Sequence, residues 1–134
     1  MTTERNENEA RALVGLKVDN GRCSYAIDER DWRPMTIGDT ALPGFSWIPV
    51  AQDEDGAWTS YWMRLDAGAR SFEHRHDSTE LIMILDGVLT DDDGTDFHAG
   101  YTVTYPAGSR HSTYSATGCT VLVVARNESS IVNG

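Results

Sequence analysis

Short apolar runs, separated by glycines that recur every 6 to 19 residues from Gly15 onward, make up most of the chain. The runs are rich in β-branched and aromatic residues, and none after Ala12 keeps a helical period for ten residues. Short strands between Gly- and Asp-containing turns are typical of an all-β sandwich or barrel. We predict strands in the runs Ala57–Leu65, Glu80–Leu85, Gly87–Thr90, Tyr101–Tyr105, His111–Tyr114 and Cys119–Ala125.

One turn and the N-terminal segment give further structural signals. Asp91–Thr95 lies between two strand runs and predicts a hairpin turn, because Asp-Gly tolerates positive φ. Residues 1–20 predict an N-terminal arm that is partly disordered or exchanged with a second subunit, since Glu, Asn, Arg and Thr dominate its first part. Within it, Glu4–Leu16 could form a short helix with a thin apolar face. Residues 21–134 are predicted to form a single β-barrel domain.

Composition narrows the classes of function. A chain of 134 residues fits one domain. Its 21 acidic and 11 basic residues give a net charge of −10, which argues against nucleic acids and anionic membranes as partners. No apolar run approaches the roughly 20 residues of a membrane span, and the polar N-terminus is not a secretory signal, so we expect a cytoplasmic protein. Cys23 and Cys119 are expected to be free thiols.

The candidate chemistry lies in the four histidines of the chain. In a strand, His74 and His76 point to one face because the side-chain period is two, and Glu80 shares that face if the chain stays extended. His111 follows a turn and would reach the same face from an adjacent strand. A carboxylate at the start of an apolar strand is costly to bury unless a cation neutralises it. His98 lies outside this pattern and is not expected to be a ligand.

Glycines and a proline frame these residues in two segments, Gly68-x5-His74-x-His76-x3-Glu80-x6-Gly87 and Gly100-x5-Pro106-x-Gly108-x2-His111. Both segments resemble the two motifs of the cupin superfamily. The first motif matches at all five fixed positions, and the second departs only at Ser115, where the family often has Asn. The resemblance covers about half the chain and implies a double-stranded β-helix, or jelly-roll, barrel.

A narrower resemblance is to the ChrR-like cupin family, which includes the cupin domain of certain zinc anti-sigma factors and small stand-alone cupins. Some stand-alone members are iron dioxygenases of small ketones and diketones. The resemblance rests on the His-x-His-x3-Glu segment, the Gly-Val-Leu-x-Asp hairpin beginning at Gly87, and the Gly118-Cys119 pair. It implies one divalent metal ion per chain, with Fe(II) favoured over Zn, Mn or Ni, and the ligands His74, His76, Glu80 and His111. If Glu80 is not a ligand, it becomes a candidate general base.

Strand alternation from these ligands also predicts the lining of a pocket. The predicted lining residues, which are core candidates as well, are Phe72, Ile82, Ile84, Tyr101, Tyr105, Tyr61 and Met63. An apolar, aromatic lining with few charges suits a small, weakly polar ligand that chelates the metal. The four tryptophans precede the first motif and fit either the core or a subunit interface, so a homodimer is expected.

The resemblance and the residues together leave three functions open. The first is a non-haem metal-dependent dioxygenase acting on a small ketone, diketone or phenolic compound. The second is a non-catalytic zinc-binding cupin that acts as a sensor or regulatory module. The third, which we rank lowest, is a metal-dependent isomerase or lyase. The fold alone does not decide among them.

Overall fold

The structure is a computed structural model that describes residues 13–52, 58–126 and 130–131. These residues form strands and one turn of 3₁₀ helix, Glu29–Asp31, with no α-helix among them, so no described helix could cross a membrane. The all-β prediction is confirmed. The strands are β1 (Leu16–Asp19), β2 (Arg22–Tyr25), β3 (Arg33–Ile37), β4 (Thr40–Gln52), β5 (Thr59–Leu65), β6 (His74–Arg75), β7 (Glu80–Asp91), β8 (Asp96–His98), β9 (Thr102–Tyr105), β10 (Arg110–His111), β11 (Thr113–Tyr114), β12 (Cys119–Ala125) and β13 (Ser130–Ile131).

Three antiparallel sheets organise these strands. The main sheet has eight strands in the order β11-β7-β12-β5-β4-β3, with β8 and β9 also paired to β7. A second sheet has the order β10-β6-β13, and β1 pairs with β2 alone. The long strand β7 contacts four others, so it carries one wall of the barrel and leads directly from Glu80 to the hairpin at Asp91. This arrangement is the predicted jelly-roll barrel.

The core follows the strand period of two. In β12 the side chains of Val121 and Val123 are completely buried, whereas the alternate residues are half-buried. Val121 lies opposite Ile84 on one side and Met63 on the other, so β12 packs its inward face against both neighbours. Each fully buried side chain of this size contributes about 1.5–3 kcal/mol relative to exposure, which makes this three-strand contact the main stabilising layer.

A β-bulge in the middle of β7 shifts which of its side chains point inward. The pairing with β12 passes from Asp86 opposite Thr120 to Ile84 opposite Val121, so Leu85 is the extra residue. Gly87 follows with a φ of 80°, and an added Cβ there would overlap the carbonyl oxygen of Gly118. Only glycine fits at this crossing. Beyond the bulge the inward positions become odd-numbered.

The predicted strand runs correspond to observed strands with small changes. Cys119–Ala125 is β12, and the runs Glu80–Leu85 and Gly87–Thr90 join into the single strand β7. The run His111–Tyr114 divides between β10 and β11. The predicted hairpin turn is confirmed, because β7 ends at Asp91 and β8 begins at Asp96 with Gly94 at a φ of 87°.

The Asp31 carboxylate binds both the segment before β1 and Tyr25 of β2. The turn between β1 and β2, Asn20-Gly21, has positive φ at both residues, as a two-residue hairpin turn requires. Asp31 is 4% exposed and accepts hydrogen bonds from the backbone N–H of Val14 (2.7 Å), the backbone N–H of Gly15 (2.9 Å) and the Tyr25 hydroxyl (2.7 Å). Most of the predicted N-terminal arm, including residues 4–12 of the expected Glu4–Leu16 helix, lies outside the described residues. The described remainder of that segment is not helical, because residues 13–15 form a turn and β1 begins at Leu16.

The outward face of β7 exposes a row of apolar side chains. Leu81, Met83 and Leu85 are 37%, 40% and 52% exposed. A second copy of the chain would cover such a row, and the homodimer stays a prediction. The tryptophans divide between the two expected roles, since Trp47 packs against the core and Trp58 is exposed.

Candidate metal centre

Two short strands bring the histidines together. β6 pairs with β10 so that His74 lies opposite His111. His76 follows β6 and is held by two backbone hydrogen bonds, from its own N–H to Ser109 O (2.9 Å) and from Gly108 N–H to its carbonyl (2.7 Å). The motif residues around Pro106 therefore form a turn that fixes the backbone of His76. The spacing predicted that these rings would converge, and they do.

The three imidazoles form a tight cluster. Their ring centroids lie 5.1 Å apart for His74 and His76, 4.5 Å for His74 and His111, and 4.7 Å for His76 and His111. One ring nitrogen from each lies within 4.8 Å of the others. His76 and His111 are buried and His74 is half-buried. The cluster can therefore present three nitrogen atoms to one ion.

Each ring is oriented through its Nδ1 atom. The Nδ1 of His74 contacts the carbonyl oxygen of Phe72 at 3.0 Å, that of His76 contacts the Ser109 hydroxyl at 3.0 Å, and that of His111 contacts the Asp91 carboxylate at 2.9 Å. A metal-ligating histidine typically has such a partner on its second nitrogen. The Nε2 atoms are thereby left to face a ligand.

Two of these Nε2 atoms lack a hydrogen-bond partner. Those of His76 and His111 are buried without one among the described residues, where only Trp32 Nε1 shares this condition. Leaving a buried polar group unpaired costs about 1–3 kcal/mol. A cation bound between the rings would satisfy both atoms, so the residues present fit a divalent metal ion.

Glu80 lies beside the cluster rather than within it. Its carboxylate is 3.2 Å from Nε2 of His76 without hydrogen-bonding geometry, and the residue is 6% exposed. The group of ligand atoms within 4.8 Å of one another contains the three histidines and not Glu80. The prediction that Glu80 is a fourth ligand stays a prediction, as does its alternative role as a base.

Burial favours the neutral form of the His74 imidazole. Burial is the largest influence on His74 and holds the pKa of its imidazole below the usual value. Burial also raises the pKa of Tyr105, and the hydrogen bond from its hydroxyl to Asp91 raises it further. Tyr105 is therefore a neutral donor, and neutral imidazole is the form that binds metal ions.

The cluster opens onto a cavity in the barrel. Its volume, traced by the centre of a water-sized sphere, is about 40 Å³, room for about three waters. None of the described lining residues is Lys or Arg. The lining consists of Met35, Thr36, Ile37, Leu42, Phe45, Trp47, Tyr61, Met63, Ser71, His74, Glu80, Ile82, His111 and Thr113.

The predicted pocket residues fall into three groups. Tyr61, Met63 and Ile82 line the cavity. Ile84 is buried in the core away from it, and Tyr105 lies against the rings of two histidines instead.

Phe72 and Tyr101 do not point inward as predicted. They are 47% and 50% exposed. Phe72 precedes the two-residue strand β6, and Tyr101 follows the Gly100 turn, so neither continues the alternation of a strand. The inward placement expected for these two residues is wrong.

Several contributors to the site were missed from sequence. Residues of β3 and β4, among them Met35 and Phe45, carry no signal that separates cavity lining from ordinary core. The sequence places Asp91 in a hairpin and gives no indication of its contact with His111. Its place in the site follows from the bulge before Gly87, which aligns Asp91 with β11 and is visible only in the strand pairing.

Other sequence expectations concern residues around the site. His98 is exposed and lies outside the group of three histidines, and Arg75 and Arg110, which alternate with the ligand candidates, are exposed as well. Cys23 and Cys119 are free thiols, as expected. Cys119 is buried in β12, and burial raises the pKa of its thiol.

Comparison with known proteins agrees with this architecture. The family profile described as the ChrR cupin-like domain matches residues 20–128. Among curated protein sequences, none matches the chain.

Solved structures match at low sequence identity. An acetylacetone dioxygenase from Acinetobacter johnsonii has a TM-score of 0.73 at 12% identity, covering 87% of this chain and 82% of that one. The polyketide cyclase RemF from Streptomyces resistomycificus has a TM-score of 0.64 at 17% identity, covering 83% and 87%. A chain in the complex of SigE with the anti-sigma ChrR from Rhodobacter sphaeroides has a TM-score of 0.59 at 20% identity, covering 73% and 50%. At these identities the likeness concerns the fold.

Proposed function

The chain belongs to the ChrR cupin-like domain family, and from that premise we propose that it is a metal-dependent dioxygenase of a small ketone, diketone or phenolic compound. The observation that carries the proposal is the pair of buried Nε2 atoms of His76 and His111 that make no hydrogen bond within the described residues, beside His74, at the wall of an apolar cavity. Three nitrogen ligands suit Fe(II), Mn, Ni and Zn, and they leave coordination positions for a substrate. The structural likeness to an acetylacetone dioxygenase supports the same reaction class.

The residues of the cavity favour an uncharged, enolisable substrate. Bound Fe(II) would couple oxidation of the substrate to reduction of dioxygen, so that a C–C bond breaks and both oxygen atoms enter the products. Glu80 lines the cavity next to the cluster and would accept the proton that a diketone or phenol loses on binding. Its carboxylate, without a Lys or Arg in the described lining, disfavours anionic substrates. Apolar walls such as Phe45 and Ile82 offer water no hydrogen-bond partners beside the cluster.

The second candidate is a non-catalytic zinc-binding module. The likeness to a chain of the SigE–ChrR complex and the family itself favour it. In that case the same three histidines would hold zinc, and the bound ion would stabilise the barrel rather than activate a substrate.

Metal analysis separates the two candidates. The protein is purified without oxygen from medium balanced in transition metals, together with His74→Ala, His111→Ala and, as matched control, Arg75→Ala, an exposed residue of β6. We expect near-stoichiometric iron in the parent and the control, its loss in both histidine variants, and dioxygen uptake with diketones or catechols. Zinc that resists chelation, without dioxygen uptake, would favour the non-catalytic module. A metal-free parent would contradict both.

A further inference from the structure

We infer that Asp91 is a positioning residue of this centre, whose carboxylate fixes the tautomer and orientation of His111 and links them to Tyr105. The inference rests on the metal-binding part of the proposed function and not on the reaction. It assigns a role to a residue that the two motifs do not contain.

Both carboxylate oxygens of Asp91 are engaged. Oδ1 lies 2.9 Å from Nδ1 of His111, and Oδ2 accepts a hydrogen bond from the Tyr105 hydroxyl at 2.8 Å. The side chains of Asp91 and His111 are 13% and 7% exposed, so water competes little for these contacts. A carboxylate can only accept, so the contact places the Nδ1 proton on His111 and leaves its Nε2 lone pair toward the cluster.

Tyr105 extends this support to a second ligand. Its ring stacks on His76 with centroids 5.0 Å apart and an interplanar angle of 27°, and its centroid is 4.2 Å from that of His111. Tyr105 belongs to β9 and pairs with Glu80 at the start of β7, whereas Asp91 ends β7. The Tyr105–Asp91 hydrogen bond therefore ties both ends of β7 to the centre.

Asp91 differs from the other partners of the ring nitrogens in its charge. His74 and His76 contact a neutral carbonyl and a neutral hydroxyl, respectively. An ionised acceptor makes a hydrogen bond roughly twice as strong as a neutral one and raises the basicity of the ligating nitrogen. Replacement of such partners in metal sites typically lowers metal affinity about 10–100-fold.

The test compares Asp91→Asn and Tyr105→Phe with Asp92→Asn. Asp92 is an exposed residue of the same turn whose carboxylate contacts Ser112 N–H at 3.3 Å and no histidine in the described residues. Affinity of the apoprotein for Zn²⁺ and Co²⁺ is measured by competition with a chelator. We expect a loss of about 10–100-fold for Asp91→Asn, a smaller loss for Tyr105→Phe, which keeps the stacked ring, and no change for Asp92→Asn.

A second readout does not depend on bound metal. Nitrogen-15 NMR of the apoprotein reports the tautomer of each histidine, and His111 should be protonated at Nδ1 in the parent and in mixed tautomers in Asp91→Asn. Unchanged affinity together with an unchanged tautomer in Asp91→Asn would overturn the inference. If the parent bound no metal, the proposed function would fail, and the inference about Asp91 would be decided by the tautomer of His111.

Discussion

Asp31 and the histidine cluster are both buried polar groups, and their hydrogen bonds are completed in different ways. Asp31 receives three donors from its own chain, two of them backbone N–H groups of the segment before β1. In the cluster, the Nδ1 atom of each ring has a hydrogen-bond partner, whereas the Nε2 atoms of His76 and His111 make no hydrogen bond in the described part of the chain.

The difference separates a structural carboxylate from a binding site. A buried group with complete hydrogen bonds stabilises the native state without any ligand. A buried group that is held rigidly on one side and left unpaired on the other reduces stability until a ligand arrives. By this criterion Asp31 anchors the β1–β2 hairpin without a ligand, and the cluster is a candidate site for one metal ion.

The largest expected effect is the response of stability to metal. We expect the free energy of unfolding to rise by about 4 kcal/mol when free Zn²⁺ reaches a thousand times its dissociation constant. The increase should disappear in His76→Ala and persist in Asp31→Asn, because only the first variant removes a ligand. Urea titrations with metal and with chelator measure this increase in both variants. An equal increase in the free energy of unfolding of His76→Ala would contradict the distinction between the two regions.

The sequence predicted the cluster well because its spacing is local. His74 lies in the short strand β6, His76 follows two positions along the chain, and the pairing of β6 with β10 brings His111 opposite His74. The strand β12 was also predicted correctly, since Cys119–Ala125 is a continuous run dominated by β-forming residues.

Prediction failed where side-chain direction depends on irregular backbone. Phe72 and Tyr101 lie within two residues of a strand but outside it, so the period of two did not apply. The role of Asp91 depends on the bulge at Leu85, which appears only in the pairing of β7 with β12. The contacts of Asp31 join residues 16 and 17 positions apart, and no local pattern indicates them.

The next largest expected effect is the loss of stability when the hydrogen bonds of Asp31 to the β1–β2 hairpin segment are removed. Asp31→Ala removes the acceptor for three donors and should lower the free energy of unfolding by about 3 kcal/mol, since hydrogen bonds to a charged group contribute about 1.5–3 kcal/mol each and the released N–H groups regain water. Tyr25→Phe removes one donor and should cost about 1 kcal/mol. Chemical denaturation measures both, and limited proteolysis at Asn20-Gly21 should accelerate in Asp31→Ala. If Asp31→Ala were as stable as the parent, the hairpin would be held by other contacts.

The smallest effect is the pH dependence of this anchor. Burial pushes the pKa of Asp31 upward, but the hydrogen bonds from Tyr25, Gly15 and Val14 outweigh it, so the pKa lies below its ordinary value. A carboxyl whose pKa is lower in the folded state stabilises the fold fully above its unfolded pKa of about 4 and loses that contribution as the pH falls toward the folded value. The difference in unfolding free energy between the parent and Asp31→Asn should therefore be constant from pH 7 to about pH 5 and shrink below about pH 4. Urea titrations of the metal-free proteins across this range, with the histidine cluster intact in both, test the sign, and a difference that grows on acidification would mean that Asp31 is held in its protonated form.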